Sequence, residues 1–170
     1  NNILIRDAEA LELAYRMNAL VLDKTGTITE GKPSVEKIEW LRDADRERLT
    51  NILFNLEKAS EHPLADAIVR HLRDTASPLA LKDIQSITGK GIAATHEDVR
   101  YYAGGARLMR ESGIHVDPRI EKLALEWEEE AKSIIYFSDS SKVLAIISVS
   151  DAIKKSSAQA VEQLKQLGIS

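Results

Sequence analysis

The 170-residue chain carries 23 Lys and Arg against 27 Asp and Glu, a net charge of −4 at pH 7. No broad basic surface is implied, and nucleic acid is not an expected partner. The absence of Cys excludes disulfides and thiolate metal sites. Its 44% hydrophobic and 29% charged residues suit one or two globular domains. The longest apolar runs, such as Val143 to Val149, fall far short of the ~20 residues a membrane helix needs, so this segment is not expected to enter a membrane. No signal peptide is visible, and the first residues read as the middle of something longer.

In chain order, Ala8 to Met17 has helical spacing, with Ala10, Leu11, Ala14 and Met17 able to share a face. The apolar run Ala19-Leu20-Val21-Leu22 predicts a buried strand ending at Asp23. Glu30-Gly31-Lys32-Pro33 predicts a turn and hinge, and Val35, Ile38 and Trp40 a short strand. Asp43 or Asp45 caps a predicted helix to about Lys58, with Leu49, Ile52, Leu53 and Leu56 as its apolar stripe. Pro63 suits the first position of a second helix carrying Leu64, Ala67, Ile68 and Leu72 and ending near Arg73. Leu81 to Ile87 predicts a strand, and Gly89-Lys90-Gly91 a break. Ile92 to Thr95 and Val99 to Ala103 predict a hairpin turning at His96-Glu97-Asp98 and closed by Gly104-Gly105. A short helix over Ala106 to Glu111 and an acidic helix from Pro118 to about Lys132 follow. Ser133 to Ser138 and Val143 to Val149 are predicted strands, the second apolar enough to be buried on both faces. Ala152 to Leu167 predicts an amphipathic helix, with Ile153, Ala160, Val161, Leu164 and Leu167 inward, stopped by Gly168.

The loop Asp23 to Thr29, Asp-Lys-Thr-Gly-Thr-Ile-Thr, has the residue types that phosphoryl transfer needs. A carboxylate such as that of Asp23 can attack phosphorus and form an acyl phosphate. Gly26 lets the backbone approach phosphate oxygens, and Thr25 and Thr27 supply hydroxyls and main-chain groups. A lone Asp at a strand end would only start a turn; seven such residues together say more. The order of elements is a reactive strand, an antiparallel block of about a hundred residues, then a second buried strand and helix. That order predicts an α/β phosphotransfer core with another domain inserted after its first strand.

The heptapeptide resembles the phosphorylation signature of P-type ATPases, ion pumps that pass through an aspartyl-phosphate. The resemblance extends along the chain. Ser60 to Ala65, Ser-Glu-His-Pro-Leu-Ala, is similar to a signature of the nucleotide-binding domain of heavy-metal pumps. Gly89-Lys90-Gly91 resembles that domain's Gly-x-Gly element, and Gly104 with Arg107-Leu108-Met109 its next glycine-containing stretch. Ile3-Leu4-Ile5-Arg6 with Ala10-Leu11-Glu12 resembles the entry into the phosphorylation domain, and Val149-Ser150-Asp151 with Lys154 the return to it. Ser-Glu-His-Pro is closer to the copper-transporting branch than to the zinc and cadmium branch.

The resemblance implies an α/β fold: an incomplete haloacid dehalogenase-like phosphorylation domain (1–31 and 143–170) with an inserted α+β nucleotide-binding domain (32–142), an antiparallel sheet flanked by helices. It implies that Asp23 is the phosphorylated nucleophile and that Lys24 and Thr27 help hold the phosphoryl group. Asp23 and the Thr25 carbonyl would form part of a Mg²⁺ site, since Mg²⁺ prefers oxygen ligands. His62 would position adenine, Glu57 would contact the base, and Gly89, Gly91 and Gly104 would line the nucleotide pocket. ATP or ADP and Mg²⁺ are the implied ligands. The membrane and actuator domains of the same pump are the implied partners, at the cytoplasmic face of a membrane.

Other residues have plainer readings. His71, His96 and His115 fit no metal-ligand spacing, Trp40 and Trp127 suit core or boundary positions, and Glu61 suits solvent. Asp151 either organises the phosphorylation site or caps the last helix. Gly105 stands where copper pumps often have Asn. The chain stops before the family's Thr-Gly-Asp and Gly-Asp-Gly segments, so by itself it is expected to bind nucleotide and barely hydrolyse it. Two other readings are a haloacid dehalogenase-type phosphatase and a nucleotide sensor that is never phosphorylated. Such phosphatases usually place a second Asp two residues after the first; here that position is Thr25.

Overall fold

Leu49, Ile52, Leu53 and Leu56 recur at helical spacing, while apolar residues run almost unbroken through 143–149. The first pattern needs one apolar partner and the second needs two. The computed structural model, which describes residues 7–41 and 45–169, provides both. It forms two compact units, one spanning Lys32–Asp151 and the other made of the described residues on either side.

In the larger unit, β1 (Thr29–Trp40), β2 (Lys82–Ile87), β3 (Gly91–His96), β4 (Val99–Gly104), β5 (Ser133–Ser138) and β6 (Val143–Ile153) form one six-stranded sheet in the order β1-β6-β5-β4-β3-β2. From β2 to β6 all neighbours are antiparallel. One face carries helices α2 (Arg46–Lys58) and α3 (Pro63–Leu72). There Leu53, Ile68, Ile92, Tyr101, Phe137, Ile147 and Val149 share a core, with Tyr101 stacked on Phe137 at 5.9 Å between ring centroids. The other face carries α4 (Ala106–Glu111) and α5 (Pro118–Glu129), where Leu108, Met109, Ile120, Trp127, Tyr136 and Ile146 pack. Consecutive residues Tyr136 and Phe137, and Ile146 and Ile147, thus serve opposite cores, as the two-residue period of a strand requires. Each such side chain gains about 1.5–3 kcal/mol from leaving water.

β3 and β4 join through a two-residue turn, Glu97 and Asp98, with φ of 47° and 63°. Positive φ at both positions matches the twist of the flanking strands. Trp40 meets Phe137 edge-on at 6.2 Å, and Trp127 is buried, as boundary and core aromatics.

Several expectations are corrected. Residues 19–22 form no strand: Val21 is 97% exposed, and no described strand pairs with this run. An apolar run becomes a strand only where a neighbour takes its hydrogen bonds. Residues 30–33 are not a turn; β1 runs through them, with Gly31 at φ 71°. β1 lies at the sheet edge, where the missing N–H of Pro33 is tolerated, and the Pro33 carbonyl accepts from Arg70 Nη2 at 2.8 Å. β6 pairs antiparallel with β5, and residues 143–151 lie in the larger compact unit. In the smaller unit, α1 (Ala8–Tyr15) and α6 (Lys155–Gln166) are helical, yet α6 buries no residue and Ile153 and Leu167 are exposed. Asp151 does not cap α6, which begins after Lys154; its Oδ1 accepts from the Lys32 N–H at 3.0 Å. The expectations for Ile3 to Arg6 and Asp43, and for the side chains of Ala10, Leu11 and Thr25, fall outside the described residues.

Candidate functional site

Asp23 is exposed, with extended backbone, immediately before a single π-helical turn over Lys24–Ile28. The turn is held from inside. Gly26 at φ 76° donates its N–H to Thr29 Oγ1 at 3.1 Å, and that hydroxyl donates to the Lys24 carbonyl at 3.0 Å. Thr29 is buried, so the loop is pinned at its far end while Asp23 and Thr27 face solvent. Residues 154–157 supply the other clamp. Lys154 Nζ donates to the Gly26 carbonyl at 2.5 Å, and the Lys154 N–H and Ser157 Oγ donate to the Ile28 carbonyl at 3.0 and 2.8 Å. Among the described residues no group of three or more acidic or His side chains could hold a metal. The loop's hard-oxygen donors are the Asp23 carboxylate and main-chain carbonyls. Mg²⁺ commonly takes only one or two carboxylates and fills the rest with water and phosphate, so this donor set fits part of such a site.

The larger unit contains a cleft of about 520 Å³ that gathers Glu57, His62, Gly89, Gly91 and Gly104 from four stretches of chain. Glu57 comes from the last turn of α2. The chain then leaves the helix, with the Ser60 N–H donating to the Glu57 carbonyl at 2.9 Å. Glu57 is 4% exposed, and its carboxyl has no hydrogen-bond or ion-pair partner among the described residues. Burial pushes it up to about 7. His62 is the N-cap of α3, held extended before Pro63, and its Nδ1 accepts the Leu64 N–H at 3.2 Å. An accepting Nδ1 places the ring proton on Nε2. His62 therefore caps a helix with one nitrogen and keeps an N–H donor on the other. Ile87, Ile92, Ala103, Ile134 and Ile135 give the cleft apolar walls for a flat ring.

The glycines differ. Gly91 and Gly104 face each other across the β3–β4 ladder. A Cβ on Gly91 would lie 2.1 Å from the Ala103 carbonyl, and one on Gly104 2.2 Å from the Lys90 carbonyl. Their bareness is required by backbone packing, whatever else occupies the cleft. Gly89, at φ 67°, makes the turn beside them.

Residues 17–170 match the haloacid dehalogenase-like hydrolase family. The chain belongs to that family. It is 37% identical over 170 residues to the "Probable copper-importing P-type ATPase A" of Enterococcus hirae, covering 99% of this chain and 23% of that protein. The chain thus spans about a quarter of the length of such curated relatives. A crystal structure of a zinc-transporting PIB-type ATPase superposes with a TM-score of 0.65 at 27% identity, over 94% of this chain and 26% of that one. The catalytic domain of the CPx-ATPase CopB-B superposes with a TM-score of 0.70 at 20% identity, over 98% and 56%, which shows the shared fold.

In this haloacid dehalogenase-like chain the structure places Asp23, Lys24, Thr25 and Thr27 on one loop and the other five candidates around one cleft. Sequence reading misses the role of three side chains. Lys90 and Arg107 also line the cleft. Glu111 binds both, its Oε1 accepting from Arg107 Nε at 2.7 Å and its Oε2 from Lys90 Nζ. The 107/111 helical spacing is a readable sign of one of these bonds. Lys154 stands out in the sequence only by resemblance, and its bond to the loop carbonyl has no signal in spacing.

Proposed function

We propose that this chain is the ATP-binding and phosphate-accepting cytosolic portion of a P-type ATPase that transports a heavy-metal cation, copper foremost. The observation that carries this reading is the convergence of Glu57, His62 and the three glycines on one apolar-walled cleft. The adenine ring lies among the isoleucines, the His62 Nε2–H donates to a ring nitrogen, and the ionised Glu57 accepts from the exocyclic amino group. At the loop, an Asp23 carboxylate oxygen attacks the γ-phosphorus of ATP. The new P–O bond forms as the bond to the bridging oxygen breaks, and ADP leaves with that electron pair. Lys24 and Thr27 steady the transferred group. Asp23 and the Thr25 carbonyl would hold Mg²⁺, which would offset phosphate charge when bound. The phosphoenzyme would bias the membrane domain between two states of access, at the cytosolic face, with membrane and actuator domains as partners.

The chain's likeness to a copper-importing relative and to a zinc-transporting structure leaves zinc as the alternative cargo. A phosphatase is disfavoured because Thr25 stands where an acid/base carboxylate would be needed to free the phosphate rapidly. The test is incubation of the longer pump containing this chain with γ-³²P-ATP. A cation-dependent, hydroxylamine-labile label, lost in Asp23→Asn, is expected. ATP binding with no label even at saturating copper or zinc would establish the sensor reading instead, and free phosphate without a trapped intermediate the phosphatase.

A further inference from the structure

A nucleotide brings a polyanion to a cleft whose lining includes two acids, Glu57 and Glu61. The only Lys or Arg side chains among its described lining residues are Lys90 and Arg107. Resting on the nucleotide-binding reading, we infer that Lys90 and Arg107 are the phosphate-binding cations of this cleft, and that Glu111 is a built-in carboxylate occupying them until a nucleotide phosphate takes its place.

The backbone places the two cations on one rim. The Lys90 N–H donates to the Ile87 carbonyl at 2.9 Å, which closes the Gly89 turn. The Lys90 carbonyl accepts from the Gly105 N–H at 3.1 Å, which ties that turn to the β4–α4 junction two residues before Arg107. Glu111, one helical turn further on, gives one oxygen to each cation. The Lys90 and Arg107 bonds, in that order, hold the Glu111 carboxyl below its usual range, so it is ionised at neutral pH. One carboxylate against two cations leaves one positive charge unbalanced. A diphosphate, with more charge and more acceptor oxygens, outcompetes it. The Arg107, Glu111 and Lys90 side chains are 70%, 44% and 27% exposed, so the exchange needs no core rearrangement. Glu111 therefore tunes the selectivity for nucleotide over nucleoside, and no described residue assigned to the adenine takes part.

The experiment measures the affinity of this chain for ADP and for adenosine by calorimetry, in the wild type and in Lys90→Met, Arg107→Met and Glu111→Gln. Amide spectra confirm that each variant is folded. Each exposed ion pair is worth about a two- to fivefold factor in affinity. The ratio of ADP to adenosine affinity should fall by about that much in each cation variant and rise in Glu111→Gln, with adenosine binding unchanged. It should also shrink with added salt. An unchanged ratio in all three variants, in a protein that does bind ADP, would overturn the phosphate assignment and leave the nucleotide reading intact. Failure of the wild type to bind either ligand would overturn both.

Discussion

Glu57 is the residue at which burial and chemistry conflict most. A carboxyl in an apolar-walled cleft with no partner resists ionisation, and burial raises it from 4.5 to about 7. The native state therefore holds its proton more tightly than the unfolded chain. The stability this provides is fully present below about pH 4.5 and is lost as pH rises through about 7. Glu57→Gln should remove that fall, so that between pH 5 and 8 its unfolding free energy drops less than the wild type's, by an amount on the order of 3 kcal/mol. Urea melts at both pH values measure this; parallel curves would contradict it. The adenine amino group should favour the ionised carboxyl, so ATP affinity should rise from pH 6 to 8 in the wild type and stay flat in Glu57→Gln. Gly105 offers a second test. A Cβ there meets nothing within 4 Å, so Gly105→Asn should fold normally, and the added amide should tighten ATP binding severalfold by one hydrogen bond. Calorimetry decides, and unchanged affinity would mean that this position does not face the nucleotide.

At the scale of elements, the β3–β4 ladder and the two-faced strands carry the stability. Gly91→Ala should cost more than about 3 kcal/mol, the upper end for overpacking, because the new Cβ meets backbone and not a yielding side chain. Gly105→Ala, close to the same turn in space, should cost little; thermal melts of the pair provide the contrast. Ser138 lies buried at the end of β5 with no partner for its hydroxyl among the described residues. Ser138→Ala should raise stability by about 1 kcal/mol and Tm by about 2–4 °C. A lower Tm would show that an ordered water satisfies the group. These elements were legible because their periodicity is long and strong: the α2 stripe, the Pro63 helix start and the hairpin all declare themselves in local sequence. The run 19–22 misled because apolarity signals burial but does not supply a partner strand. Gly31 and Pro33 look like a turn, and only the edge position of β1 makes them compatible with a strand. The cleft residues were legible one by one through resemblance. Of the Lys90–Glu111–Arg107 bridge, the Arg107–Glu111 bond shows in the four-residue spacing on α4, but the Lys90 bond does not, because only the fold brings the Gly89 turn to that helix.

Across the molecule, the buried hydrophobic residues among those described all fall within 49–149, while Leu13, Tyr15, Met17, Val21, Ile153 and Leu167 stay exposed. The larger unit should therefore supply nearly all of the cooperative stability. Amides of α2, β3, β4, β5 and β6 up to residue 149 should be the slowest to exchange, and those of α1 and α6 should exchange through local opening. Equal protection in α6 would contradict this. Because the candidate cleft lies within the larger unit, nucleotide binding should depend on that unit's fold. The most direct measurement is an amide-NMR titration with ATP and GTP on the wild type and on His62→Gln. Shifts with ATP should centre on Glu57, His62, Gly89, Gly91 and Gly104 and on the phosphate-side residues Lys90, Arg107 and Glu111, the adenine-side shifts being weaker with GTP and in the variant. Shifts elsewhere, or equal responses to both nucleotides that His62→Gln leaves untouched, would contradict it.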